Sequence, residues 1–122
     1  MGRGKTILLV DDTKWLRLLL QSELEDAGYS LITVGTGQKA WDILQQDAAA
    51  IDLVITDGRH PPPDGLELLQ RIKARWPNLP VILHSAFSSY QFDPDRCFPD
   101  EYIVKDPDLI RLKEAVGRQI GG

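Results

Sequence analysis

Apolar residues along the chain follow two alternating patterns. Ile7-Leu8-Leu9-Val10 is a short unbroken apolar run, as expected of a strand buried on both faces. From about Lys14 to Ala27, Leu16, Leu19, Leu20, Leu24 and Ala27 recur at helical spacing, and Gly28 supplies a stop. Leu31 to Val34 reads as a second strand. Thr36-Gly37 then opens a helix whose inner face holds Ala40, Trp41 and Leu44. Leu53-Val54-Ile55 is a third buried strand. Leu66, Leu69, Ile72 and Trp76 line a further helix that Pro77 ends. Val81-Ile82-Leu83 and Tyr102-Ile103-Val104 complete the strands. Asp106-Pro107 is expected to cap and start a last helix striped by Leu109, Leu112, Val116 and Ile120. Strand and helix alternate, so a parallel sheet covered by helices on both faces is the natural architecture. One connection breaks the rhythm. Between Ser85 and Tyr102 lie Pro94 and Pro99 among Asp93, Asp95 and Asp100, where a regular helix of several turns is hard to fit, so a loop with at most one short helical turn is expected.

With 122 residues the chain suits one domain, taken as 1–122 with a core of about 5–120. Its 43% hydrophobic and 26% charged residues are those of a globular protein. A formal net charge of −4 offers no electrostatic footprint for nucleic acid or an anionic membrane. The apolar runs are too short to span a bilayer. The single Cys97 cannot form an internal disulfide, so a reducing cytoplasm is the expected location. Trp15, Trp41 and Trp76 fall on or beside the apolar stripes and read as packing. His60 and His84 lack the spacing of a transition-metal site.

In open α/β sheets ligands bind beyond the carboxyl ends of the strands, so the residues that follow each apolar run matter most. Asp11 and Asp12 follow the first run, Asp57 the third, Ser85 the fourth and Lys105 the fifth. Three carboxylates about 5 Å apart repel by roughly 3 kcal/mol per pair at an effective dielectric of about 20, and so call for a cation. Oxygen ligands with open positions suit Mg²⁺ together with a phosphate. A carboxylate beside such an ion can attack phosphorus and form an acyl phosphate. The Lys105 ammonium would stabilise charge on the transferring group, and the Ser85 hydroxyl could hydrogen-bond to it.

These residues resemble the receiver domains of bacterial response regulators, over about Lys5 to Ile120. The resemblance rests on Asp11-Asp12, on the stretch from Asp57 through Pro61 to Asp64-Gly65, on Ser85-Ala86, on Lys105, and on Tyr102 three residues before it. It implies a flavodoxin-like doubly wound five-stranded parallel sheet in the order 2-1-3-4-5, here with a shortened or irregular fourth helix. It implies that Asp57 accepts a phosphoryl group from a sensor histidine kinase or a histidine phosphotransfer protein, with Ser85 and Lys105 as catalytic partners. Mg²⁺ would be held by Asp12, Asp57 and the backbone carbonyl of Arg59, with Asp11 reaching it through water. Ser85 and Tyr102 would form the switch that a downstream protein reads. Such a domain is not a dedicated enzyme, although it catalyses its own phosphorylation and dephosphorylation. The sequence departs from the family in two places. The lysine is followed by Asp106, with the proline displaced to Pro107, and the fourth helix is degraded. Two other readings stay open. One is a receiver-like adaptor that signals by protein contact without phosphorylation. The other is a small Mg²⁺ phosphatase, whose second acid would stand where this chain has Arg59.

Overall fold

The computed structural model describes residues 4–58, 63–86 and 99–121. Five strands, β1 (Thr6–Val10), β2 (Ser30–Val34), β3 (Leu53–Thr56), β4 (Val81–Ser85) and β5 (Glu101–Val104), form one sheet. Every pairing is parallel and the order is β2-β1-β3-β4-β5, as the family resemblance implied. The described helices are α1 (Lys14–Asp26), α2 (Gly37–Asp47), α3 (Gly65–Arg75) and α4 (Ile110–Ile120). Leu16, Leu20 and Leu24 of α1 and Leu112, Ala115 and Val116 of α4 pack on one face of the sheet, against Ile7, Leu9, Ile55 and Ile82. Ala40 and Leu44 of α2 and Leu68, Leu69 and Ile72 of α3 cover the other face, against Leu8, Val10, Val54 and Val81. This explains the unbroken apolar runs. The central strands β1, β3 and β4 are buried on both faces, while the edge strands β2 and β5 are only partly covered. The segment read as an irregular fourth helix, together with Arg59, His60, Pro61, Pro62 and Cys97, lies outside the described residues.

Local signals set most helix ends. Gly28 takes a φ of +99°, the left-handed turn that stops α1. The Thr36 hydroxyl accepts the Lys39 N–H at 3.2 Å to cap α2, and the Asp64 carboxylate accepts the Glu67 N–H at 2.9 Å to cap α3. Two expectations change. The last helix begins at Ile110, not at Asp106-Pro107. The Asp106 carboxylate accepts the Asp108 N–H and the Asp108 carboxylate accepts the Ile110 N–H, at 3.2 and 3.0 Å. These local bonds satisfy the backbone in turns and delay the helix. The apolar stripe of α1 is also narrower than its sequence suggests. Leu16, Leu20 and Leu24 are buried, but Leu19 is 41% exposed and Trp15 68%, so Trp15 is not a packing residue. Trp41 and Trp76 do pack, with ring centroids 5.4 Å apart, and Trp76 lies just past the end of α3.

Gly65 fixes how closely α3 approaches the end of β3. A Cβ on it would sit 2.8 Å from the Gly58 Cα and closer still to the Asp57 carbonyl oxygen, both rigid backbone. Its N–H donates to the Gly58 carbonyl at 3.3 Å. Gly117, within α4, has open space where its Cβ would be. The two glycines therefore predict opposite outcomes. Gly65→Ala should destabilise by about 1–3 kcal/mol through forced displacement of backbone. Gly117→Ala should stabilise by about 0.5–1 kcal/mol, as a glycine-to-alanine change in an open helix position does. Urea unfolding of the three proteins checks both signs.

Candidate functional site

The register of the sheet brings the chemistry-bearing residues to one edge. Val10 on β1 pairs with Thr56 on β3, so Asp11 and Asp57 emerge side by side. Ser85 on β4 pairs with Val104 on β5, so Lys105 emerges next to them. The ladder runs on past the strand ends. The Asp57 N–H donates to the Val10 carbonyl at 2.9 Å, the Asp11 N–H to the Val34 carbonyl at 3.1 Å, and the Lys105 N–H to the Ser85 carbonyl at 2.7 Å. Alternation along the strands then decides which way the side chains point. Leu9, Ile55, Ile82 and Ile103 belong to the α1/α4 core, and a step of two places Asp11, Asp57, His84 and Lys105 on that face.

Four charged side chains meet there. The Lys105 ammonium lies 2.9 Å from an Asp57 carboxylate oxygen and 3.1 Å from an Asp11 carboxylate oxygen. Asp11, Asp12 and Asp57 each present a carboxylate oxygen within 4.8 Å of the other two. Among the described side chains, Lys105 offsets part of the charge of these three carboxylates, and a divalent cation would offset more. Asp11 is buried, and its other oxygen accepts the Thr13 N–H at 2.9 Å. Asp12 is exposed and has no hydrogen-bond or ion-pair partner among the described residues, so its carboxylate is available to a ligand. Hard oxygen donors, one of them free and facing solvent, fit Mg²⁺. Ser85 is buried at the end of β4, and Tyr102 is partly buried on β5, opposite Leu83. Arg59, expected to add a backbone ligand, is outside the described residues.

Burial raises the pKa of the Asp11 carboxyl above its ordinary value, even though the Thr13 N–H and Lys105 pull it down; Asp57 adds to the rise. Burial works against the charge of Lys105, but its hydrogen bond to Asp57 and the nearby Asp11 outweigh that and raise its pKa. His84, at the end of β4, is 2% exposed. Burial first, then the Lys105 charge, pushes it down to about 4 against the pull of Asp57, so it is neutral at physiological pH. Its Nδ1 is buried with no hydrogen-bond partner. It is a packed histidine, and no metal-ligand cluster among the described residues includes it. Beside Lys105, a groove of about 510 Å³ is lined by Thr13, Trp15, Leu16, Leu19 and Leu109. This groove is not legible in the sequence, because Trp15 and Leu19 sit at spacings that a core stripe also uses.

The raised pKa of Asp11 has a definite sign in stability. The folded state holds the Asp11 proton more tightly than the unfolded chain does. Its contribution is therefore fully present in acid and is lost as pH rises through the folded-state pKa. Asp11→Asn cannot ionise. With a chelator present, its stability relative to the parent should improve from about pH 4 to neutrality. Urea midpoints of both proteins across that range test it; a pH-independent difference refutes the argument.

A family model described as the response regulator receiver domain matches residues 7–117. The sporulation initiation phosphotransferase F of Bacillus subtilis is 36% identical over 119 residues, 96% of this chain and 94% of that protein. The DNA-binding transcriptional regulator NtrC of a Bradyrhizobium species is 37% identical over 117 residues, 94% of this chain. The chain spans only about a quarter of that regulator, 24% of its length. The response regulator TrrA of Thermotoga maritima, solved in complex with Mg²⁺-BeF, superposes with a TM-score of 0.87 at 36% identity, over 94% of this chain and 98% of that one. TrrA has also been solved in complex with the histidine kinase ThkA; that structure gives a TM-score of 0.83 at 35% identity over 95% of this chain and 98% of TrrA. The chain belongs to the response regulator receiver domain family.

Proposed function

We propose that residues of about 5–120 form one receiver domain that takes a phosphoryl group on Asp57 from a phosphohistidine of a sensor kinase or a histidine phosphotransfer protein. The observation that carries this reading is the contact of Lys105 with Asp57, at 2.9 Å, inside a cluster of three carboxylates. An Asp57 carboxylate oxygen attacks phosphorus, a P–O bond forms, the P–N bond to imidazole breaks, and the imidazole nitrogen leaves with the bonding pair. Lys105, already ordered against the carboxylates, moves its attraction from them to the oxygens of the arriving group. Ser85 offers a hydroxyl at the adjoining strand end, and its movement toward the phosphoryl group would be relayed through Tyr102 on β5 to a protein target. Asp12, Asp57 and the Arg59 carbonyl, with Asp11 acting through water, would hold Mg²⁺, which when bound neutralises charge on the phosphoryl oxygens. Water then cleaves the acyl phosphate and returns Asp57 to its free form. No described helix is long and apolar enough to cross a membrane; the reducing cytoplasm, suggested by the lone Cys97, is the proposed location. Support for the kinase partner comes from TrrA, solved with one.

Two measurements test this. Incubation with a small phosphodonor and Mg²⁺ should add one phosphoryl group, stable to acid and labile to base, by intact mass. Asp57→Ala should take up none. Equal labelling of the two would remove Asp57 from its role, and no labelling of either would leave the contact-only adaptor. The second measurement concerns delivery. On this reading a protein donor docks over the groove beside Lys105, where Trp15 is 68% exposed. Trp15→Ala should slow transfer from a phosphorylated kinase by about tenfold or more, as loss of a large interface aromatic does, and leave labelling by the small phosphodonor unchanged. Equal slowing with both donors would place Trp15 outside the docking surface.

A further inference from the structure

Asp11 is held at every polar position of its backbone and side chain. Its N–H donates to the Val34 carbonyl at 3.1 Å, and its carboxylate binds Thr13 N–H at 2.9 Å and Lys105 at 3.1 Å. The remaining group, its backbone carbonyl, accepts a hydrogen bond from the Arg17 guanidinium at 2.7 Å. That carbonyl belongs to the planar peptide unit joining Asp11 to Asp12, so fixing its oxygen fixes the Asp12 nitrogen and the direction in which the Asp12 Cα leaves. Asp12 itself is exposed and makes no hydrogen bond or ion pair among the described residues. Nothing on its own side chain orients it.

Arg17 reaches this carbonyl through a gap left by Gly35. A Cβ on Gly35 would lie 3.1 Å from the Arg17 Nη1 and 3.8 Å from its Cζ. Among the described residues the positive-φ glycines are Gly4 and Gly28, so backbone conformation does not call for glycine at position 35. Space for the guanidinium does. Gly35 also directly follows Val34, whose carbonyl holds the Asp11 N–H, so one short stretch of chain both pins Asp11 and admits Arg17.

We infer that Arg17, admitted by Gly35, is a positioning residue that aims Asp12 at the cation site through the Asp11 carbonyl. The inference rests on the reading of Asp11, Asp12 and Asp57 as that site. Arg17 carries a positive charge, and by charge alone it would repel a cation. Deleting it would therefore mix two opposed effects. The variants that separate them keep the charge and act on the hydrogen bond. Gly35→Ala crowds the guanidinium by a few tenths of an ångström, Gly35→Val crowds it more, and Arg17→Lys replaces the planar fork with a shorter point donor.

Mg²⁺ is titrated by calorimetry into the parent and these variants, well below their melting temperatures. There, a loss of stability alone leaves the dissociation constant unchanged. The parent should bind. Gly35→Val and Arg17→Lys should bind about fivefold more weakly, the equivalent of one lost hydrogen bond, with Gly35→Ala between them and the parent. A parent that binds while Gly35→Val and Arg17→Lys, or whichever of them folds, match it within twofold overturns the positioning role and leaves the site reading standing. A parent that takes up no Mg²⁺ overturns both.

Discussion

The repulsion among Asp11, Asp12 and Asp57, eased where the Lys105 ammonium meets Asp11 and Asp57, is the constraint around which the carboxyl edge of the sheet is organised. Hydrophobic burial does not bring these groups together; it opposes the charge on both Asp11 and Lys105. They are together because the strands that carry them are. Ile7, Leu9, Ile55 and Ile82 set the core on one face, Leu8, Val10 and Val54 set it on the other, and Asp11, Asp57 and Lys105, which follow β1, β3 and β5, are each tied by a backbone hydrogen bond to the neighbouring strand. Folding energy gathered across the sheet therefore holds like charges within reach of one another. Such a site is ready for a cation and a phosphoryl group, because the cost of assembling it is met before either arrives.

The opposite end of the sheet is built to be rigid. Lys73, near the end of α3, donates to the Leu79 carbonyl at 2.8 Å and pairs with Asp100 at 2.7 Å. The same Asp100 carboxylate accepts the Val81 N–H at 2.7 Å, and the Asp100 N–H donates to the Val81 carbonyl at 2.8 Å. One acidic residue thus ties α3, the start of β4 and the start of β5. This matters for Lys105, because β5 is an edge strand with a neighbour on one side only. On the face covered by α4, Glu101 binds Arg118 and Gln119, and the Arg118 hydrogen bond lowers the Glu101 pKa. An edge strand anchored at its base presents the lysine at its tip with little play.

The tryptophans divide in a similar way. Trp41 and Trp76 meet with their rings tilted at 56°, with the Arg71 and Arg75 guanidinium carbons 5.6 and 4.9 Å from the Trp41 and Trp76 ring centroids. Trp15 stands on α1, three residues after Asp12, with most of its surface in solvent. Composition treats the three alike. Which of them packs depends on whether a neighbouring element covers its position, and α1 meets the sheet through Leu16, Leu20 and Leu24 alone.

How much was legible follows the range over which each signal acts. Apolar runs, helical spacing, Gly28 and the caps Thr36 and Asp64 are decided by residues within a turn of each other, so strands, helices and most of their ends were readable from the chain. The placing of Asp11, Asp57, Ser85 and Lys105 at one edge was readable too, because every strand of a parallel sheet ends at the same side. The start of α4 was misjudged where Asp106 and Asp108 satisfy the backbone in turns before the helix can begin. The rest required the tertiary structure, because each feature joins groups that only the packed sheet brings within bonding distance. Lys105 reaches Asp57 across 48 positions of sequence. Gly35 makes room for a guanidinium that begins on another element, and the orphan nitrogen of His84 is buried by strands and helices remote in the chain. The sequence by itself determined which side chains reach the carboxyl edge, since alternation is local; only the packed sheet decided their distances and their burial.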